Sequence, residues 1–128
     1  EENANVSLTA SSDQVRGTTA SGTNCTSGHL WFNKSQNADV TTSPIRLYGA
    51  TNLILSYDQG TGGSSLTPSY SVDNGATWVE LAASGPGAST VNSYAITVDA
   101  ETIILKFSHF STNAKNTRFD NPSLTVAE

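Results

Sequence analysis

Few side chains in this 128-residue chain are of the types that catalyse reactions. Glycoside hydrolysis needs two carboxyl groups about 5–10 Å apart, one of them with a raised pKa. The acidic residues that could serve are scattered over predicted strand ends and turns: Asp58, Glu80, Asp99 and Glu101. His29 and His109 are the only histidines, and neither a Gly-x-Ser-x-Gly nor a His-Glu-x-x-His motif occurs. The sequence therefore predicts a domain without catalytic residues.

The binding of sugars is a chemistry that the aromatic and polar side chains could perform. A pyranose offers an apolar face on which a ring can stack and a rim of hydroxyls for polar side chains. Trp31 is the first candidate, because Leu30 and Phe32 alternate with it and are expected to point into the core. Asn33 would lie beside Trp31 on the outer face. The alternative is that Trp31 only covers the edge of a sheet.

A second candidate group lies around the connection between the last two predicted strands. Its members are His109, Phe110, Asn113, Lys115 and Arg118. Antiparallel pairing of these two strands would bring Arg118 close to Lys106 on one face, where sugar hydroxyls could accept their hydrogen bonds. The alternative is a solvated outer face on which Phe110 closes one end. Weaker candidates are Asp58 and Gln59 at the end of a central strand, and Tyr48 beside Gly49.

Strands must position these residues, because no stretch repeats apolar residues at helical spacing over three turns. About nine or ten short runs recur at the spacing of an all-β sandwich. The residues expected to face its core are Leu30, Phe32, Ile45, Leu47, Tyr94, Ile96, Val98, Ile103, Leu105, Phe107, Phe119, Leu124 and Val126. The sequence therefore predicts one all-β domain over residues 1–128, a two-sheet antiparallel β-sandwich of the jelly-roll type.

Residues 69–81 form the strongest local signal in the chain. Two runs of β-branched and aromatic residues flank Asn74-Gly75, which predicts a tight hairpin. The Asp73 carboxylate is expected to accept hydrogen bonds from amides of the turn. Trp78 is expected to pack into the core at the end of a sheet.

The composition limits the partners and the compartment. The net charge is −5, with no cluster of Lys or Arg, so nucleic acid and anionic membranes are not expected partners. Cys25 is the only cysteine, which leaves no disulfide within the chain and predicts a small buried residue rather than a nucleophile. A charge-poor chain rich in Ser, Thr, Asn and Gly is typical of extracellular sandwiches. Because it begins abruptly at Glu1, we expect a module of a larger protein.

Three segments follow one another along the chain: Ser43-Pro44-Ile45 followed by residues 52–58, the spacing Ser71, Asp73, Gly75, Thr77 and Trp78, and the closing run from Arg118 through Asp120-Asn121 to Val126. In this order they resemble bacterial jelly-roll carbohydrate-binding modules of the Bacteroidetes type. The second segment also resembles the Asp-box hairpin, a folding device of sialidases and other secreted β-domains. The resemblance implies a structural calcium ion near Asp120, although Asn121 stands where a second acid is common. An N-terminal ligand would come from Glu1, Glu2 or Asp13.

Together these features predict a non-catalytic module that binds xylan or another β-1,4-linked plant glycan. By resemblance it would be part of a xylanase or related glycoside hydrolase, which it would target to its substrate. We expect a monomer that is secreted, periplasmic or on the bacterial cell surface. The alternative is a structural or adhesive β-sandwich domain of a bacterial surface protein.

Overall fold

Eleven strands are described in the computed structural model. The described residues are 6–11, 15–18, 29–33, 37–59, 65–84, 91–110 and 116–127, and they contain no helix. The strands are β1 (Leu8–Ala10), β2 (Val15–Thr18), β3 (His29–Phe32), β4 (Ala38–Thr42), β5 (Ile45–Arg46), β6 (Asn52–Gln59), β7 (Leu66–Ser71), β8 (Val79–Glu80), β9 (Val91–Thr97), β10 (Thr102–His109) and β11 (Thr117–Val126).

These strands form two antiparallel sheets. Sheet 1 has the order β1-β4-β10-β7-β8, with the short strand β5 also paired to β10. Sheet 2 has the order β2-β3-β11-β6-β9. The predicted all-β fold of two antiparallel sheets is confirmed.

An aromatic cluster joins the two sheets in the core. The Tyr57 ring of sheet 2 lies 5.5 Å from the Phe107 ring of sheet 1, measured between centroids. Phe119, also from sheet 2, lies 5.2 Å from Tyr57 and 4.6 Å from Phe107. Each ring occupies an inward position of its strand, where alternation directs every second side chain. These contacts fix the spacing of the sheets over the middle of the domain.

Most residues that the sequence places in the core are buried or packed against it. The buried ones are Phe32, Leu47, Ile96, Val98, Ile103, Leu105, Phe107 and Phe119, and those at its margin are Leu30, Ile45, Tyr94 and Leu124. Val126 is the exception, because 62% of its side chain is exposed at the end of β11. Val126 points to the same face as Leu124, but it lies at the end of β11, where the opposite sheet no longer covers that face.

A buried polar contact adds a second link between the sheets. The Ser84 hydroxyl lies 2.6 Å from the Tyr57 hydroxyl and donates to Gln59 Oε1, also over 2.6 Å. The backbone of Ser84 is bonded in both directions to Leu66 at the start of β7. Burial, the largest effect, raises the pKa of the Tyr57 hydroxyl, and the hydrogen bond to Ser84 partly opposes it. Strand β6 is thereby tied to sheet 1 by directional bonds as well as by packing.

Strand β11 contains a bulge that reverses the facing of its residues. The register with β6 shifts between Asp120 and Ser123, and Asn121 adopts a φ of 52°. The Asn121 backbone N–H donates to Asp120 Oδ1 over 2.9 Å, and its side-chain amide donates to Asp58 Oδ2 over 2.8 Å. The bulge lets Phe119 and Leu124, which are an odd number of residues apart, both face the core.

The predicted pairing of the last two strands is wrong. Strand β10 pairs with β4 and β7 in sheet 1, whereas β11 pairs with β3 and β6 in sheet 2. Both long edges of β10 are therefore already occupied, and the chain crosses to the other sheet between Phe110 and Asn116. Lys106 and Arg118 consequently do not share a face.

The hairpin after β7 forms as predicted and is held by Asp73. Strands β7 and β8 pair with Tyr70 opposite Val79, and Asn74 and Gly75 have positive φ angles of 61° and 91°. The Asp73 carboxylate accepts hydrogen bonds from the Thr77 hydroxyl and the Thr77 backbone N–H, the latter over 2.8 Å. These bonds, with a further one from Ser71, lower the pKa of Asp73 from 3.8 to about 2.

The prediction that Trp78 packs into the core is wrong. Its side chain is half-buried and lies outside the core cluster, on the outer face of sheet 1. The Lys106 ammonium lies over its ring, 4.1 Å from the centroid. Lys106 faces outwards because Leu105 and Phe107 beside it face the core. The contact with Lys106 therefore places the Trp78 ring on the outer face of sheet 1.

The hydrogen bonds to Asp73 predict an acid dependence of stability. A carboxyl whose pKa is lowered on folding stabilises the fold above its unfolded pKa and loses that contribution as the pH falls through its folded pKa. We therefore expect the thermal midpoint of the wild type to fall between about pH 4 and pH 2 by more than that of Asp73→Asn. Calorimetry of both proteins at pH 6 and pH 2.5 measures the difference. An equal decrease of the thermal midpoint in the two proteins would contradict the stabilising role of the hydrogen bonds to Asp73.

The position of Trp78 predicts a moderate loss of stability rather than a loss of folding. Trp78→Ala removes half-buried aromatic surface and the contact with Lys106, which together are worth about 1–3 kcal/mol. Urea unfolding should show this decrease, with Val72→Ala on the same hairpin as an exposed control that changes by less than about 0.5 kcal/mol. If the Trp78→Ala protein did not fold at all, the assignment of Trp78 to the outer face rather than the core would be contradicted.

Candidate functional site

The strand ends that carry most of the predicted site residues meet at one end of the sandwich. We call it the loop end and define it by Phe32, Asn33, His109, Phe110 and Thr117. Phe32 and Thr117 are register partners in sheet 2, and the Phe32 ring stacks on the His109 ring of sheet 1 with centroids 5.4 Å apart. Asn33 and Phe110 each directly follow one of the stacked residues. Two predicted groups from different parts of the sequence therefore lie at the same end.

Phe110 is the exposed aromatic residue of the loop end. Its side chain is 53% exposed, immediately beyond the last residue of β10. Its outward position agrees with the sequence prediction. Asn33 is half-exposed in the segment that follows β3. Exposed rings and amide side chains are the groups with which proteins bind the apolar face and the hydroxyls of a pyranose.

Arg118 belongs to the same region through its register. It is half-buried in β11 and pairs with Trp31, which in turn pairs with Arg16 of β2. Phe119 next to Arg118 faces the core, so the Arg118 side chain belongs to the outer face of sheet 2. The side chains of Trp31 and Arg16 lie outside the described part of the structure, as do Asn113 and Lys115. Their contribution to a site stays a prediction.

The expected position of His109 on the surface is wrong. Only 1% of its side chain is exposed, because β10 directs His109 inwards on the same face as Phe107. Its ring stacks on Phe32 between the two sheets. His109 therefore supports the loop end from beneath and does not contact a ligand on its surface.

Of the weaker candidates, Gln59 is also turned inwards. It is fully buried, where it accepts the hydrogen bond from Ser84, so it belongs to the interior rather than to a surface site. Asp58 faces the other way, is half-exposed, and is the register partner of Asp120. The amide of Asn121 donates to Asp58 and reduces the repulsion expected between carboxylates that face each other.

Asp58 and Asp120 supply only part of what a calcium ion requires. Ca²⁺ takes about six to eight oxygen ligands. No group of three or more His, Cys, Asp or Glu side chains with suitable spacing occurs among the described residues. The N-terminal ligands that the resemblance implies, Glu1, Glu2 and Asp13, lie outside them. The structural calcium stays a prediction.

A groove lies at the opposite end of the sandwich, around Tyr48. Its volume is about 470 Å³. Tyr48 is 49% exposed, and the Arg46 guanidinium lies over its ring, 5.0 Å from the centroid. Both side chains point outwards, as the sequence predicts. The alternation of the strand does not reveal the concave surface, since the ends of β5, β6 and β11 create it together.

No helix in the described part of the chain is long and apolar enough to cross a membrane.

Solved structures resemble this domain in fold, although their sequences differ greatly from it. No family model and no curated protein matches the sequence. TmCBM61 in complex with β-1,4-galactotriose is 13% identical with a TM-score of 0.66, over 95% of this chain and 88% of that one. CBM35 from Paenibacillus barcinonensis is 15% identical with a TM-score of 0.63, over 95% and 93%.

A domain with this fold also occurs inside a larger protein. The enzymatically active domain of tailspike protein 4 from bacteriophage CBA120 is 17% identical with a TM-score of 0.64. The match covers 98% of this chain but only 20% of that one. At these identities the likeness concerns structure alone: the chain has the β-sandwich fold that is found in carbohydrate-binding modules.

Proposed function

We propose that this domain is a non-catalytic glycan-binding module. The observation that carries the proposal is the extent of the structural likeness. It spans nearly the whole of this chain and nearly the whole of two proteins described as carbohydrate-binding modules, one of them holding β-1,4-galactotriose. The entire domain, rather than a fragment of it, thus corresponds to a unit that binds sugar in TmCBM61.

The binding surface in this proposal is the loop end. The exposed Phe110 ring stacks on the C–H face of a pyranose, and Trp31, which the sequence predicts to point outwards, adds a second ring. Arg118 and Asn33 donate hydrogen bonds to hydroxyls, with Asn113 and Lys115 completing the rim. Beneath this surface the stacked Phe32 and His109 rings join the ends of β3 and β10, from which Asn33 and Phe110 extend.

The proposed ligand is a β-1,4-linked plant glycan, with xylan first among the candidates. An extended glycan presents repeated apolar faces to a surface ring, whereas an exposed site leaves much of the chain in water, so we expect modest affinity. A module of this kind raises the effective concentration of an attached glycoside hydrolase at an insoluble substrate. Such a substrate lies outside cells, which agrees with a secreted or surface-bound bacterial protein.

The arrangement of carboxylates supports binding without hydrolysis. Asp58 and Asp120 lie opposite each other on the outer face of sheet 2, with Asn121 hydrogen-bonded to both residues. The groove formed by described residues lies at the other end of the sandwich, and no carboxylate lines it. Glycoside hydrolysis requires a sugar held between two carboxyl groups.

Affinity electrophoresis tests the proposal directly. Xylan, mixed-linkage glucan, β-1,4-galactan, mannan or pectin in the gel should retard the wild type, and Phe110→Ala should weaken binding about tenfold, since burying the ring contributes about 1.5 kcal/mol. Trp31→Ala and Arg118→Ala should also weaken binding, while Val72→Ala on the distant hairpin serves as the control. Unchanged migration in all five polysaccharides would contradict the proposal and favour a structural or adhesive domain.

A further inference from the structure

The groove around Tyr48 is far from the loop end. Its lining residues are Ile45, Arg46, Leu47, Tyr48, Gly49, Ala50, Leu53, Leu124, Thr125 and Val126, and we call it the turn-end groove. Strand β6 begins beside it and ends at Gln59 near the loop end, while β11 runs the opposite way. Six residues of extended strand span about 20 Å, so the two surfaces lie at opposite ends of the domain. A volume of about 470 Å³ is within the range of small-ligand sites.

Backbone hydrogen bonds hold the turn that carries Tyr48 in a defined conformation beside this groove. Tyr48 has a φ of 49° and Gly49 a φ of 84°. A non-glycine residue in this region costs of order 1 kcal/mol and persists only where its surroundings impose it. The Leu47 N–H donates to the Glu101 carbonyl and the Ala50 N–H donates to the Leu47 carbonyl, each over 2.9 Å. The turn is therefore anchored on both sides of the exposed ring.

The groove combines apolar side chains with hydrogen-bonding groups, which matches the apolar face and the hydroxyl rim of a sugar. Leu53 and Leu124 form an apolar floor, and Val126 at the rim is left 62% exposed. The Arg46 guanidinium, with five N–H donors in a planar fork, lies against the Tyr48 ring. A pyranose placed here would set its C–H face on apolar surface and its hydroxyl rim on the guanidinium and the phenol.

Charge also favours an electron-rich, uncharged or weakly acidic occupant over a basic one. The chain carries a net charge of −5, yet Arg46 is the charged residue among those that line the groove, and no lining residue is acidic. A hydroxyl-bearing ligand accepts hydrogen bonds from such a cation without paying the desolvation cost of burying a second charge.

We propose that the turn-end groove is a second saccharide subsite, which takes one or two pyranose units of a glycan. The proposal rests on the glycan-binding function above and adds a second site to it. A module with sites at both ends joins two glycan chains, or two segments of one chain. Simultaneous occupancy increases retention on an insoluble polysaccharide by avidity, without stronger contacts at either site.

Isothermal titration with xylohexaose and with β-1,4-galactotriose tests the stoichiometry. For at least one of these probes the wild type should bind two equivalents. Tyr48→Gly and Phe110→Ala should each weaken one of the two sites about tenfold, and the double variant should weaken both. Glycine suits the positive φ at residue 48, so this variant removes the ring without straining the turn. Arg46→Ala should weaken the second site about tenfold, and Val72→Ala should bind like the wild type.

The outcomes separate the second site from the proposed function. One equivalent for the wild type, weakened by Phe110→Ala and unaffected by Tyr48→Gly, overturns the second site and leaves the glycan-binding module standing. No binding of either probe, together with unchanged migration in all five polysaccharide gels, overturns both. If sedimentation shows that the wild type is a dimer and that Tyr48→Gly is a monomer, the groove binds a second copy of the chain. That result overturns the second site.

Discussion

The packing of one sheet against the other is the interaction on which the rest of the structure depends. Phe107 of sheet 1 is held between Tyr57 and Phe119 of sheet 2, and at the loop end His109 of sheet 1 stacks on Phe32 of sheet 2. These ring contacts exist because alternation directs every second side chain of β3, β6, β10 and β11 into the same narrow interior. A charge-poor chain with few large side chains uses these rings to fill its core.

This use of the aromatic residues decides which of them remain for binding. Rings at inward positions join the sheets, and the exposed rings among the described side chains, Phe110 and Tyr48, lie at a strand end and in a turn. Trp78 is an intermediate case, because it is half-buried and contacts Lys106 on the outer face of sheet 1. A ring next to a rigid core is a preorganised platform, and rigidity is what a weak, exposed binding surface needs.

Much of the fold follows from the sequence, since alternation predicts the inward positions and Asn74-Gly75 predicts the hairpin. Prediction fails where a feature depends on contacts distant in sequence. Nothing local indicates that β10 and β11 lie in different sheets, and residue type made His109 a surface candidate although alternation with Phe107 turns it inwards.

The bulge at Asn121 has a local signal, in that Phe119 and Leu124 cannot both face inwards along a regular strand. The turn-end groove has none, because three separate strands build it.

The central claim is that a rigid sandwich binds glycans through surface rings without cleaving them. Its most direct test is a titration of the ¹⁵N-labelled domain with xylohexaose and β-1,4-galactotriose, followed by backbone amide shifts and by analysis of the recovered sugar. We predict shifts at the loop end, including Asn33, Phe110 and Arg118, unchanged signals from the core around Phe107, and intact oligosaccharide. An absence of shifts with both sugars and with soluble fragments of mixed-linkage glucan, mannan and pectin, or the release of shorter fragments, would contradict it.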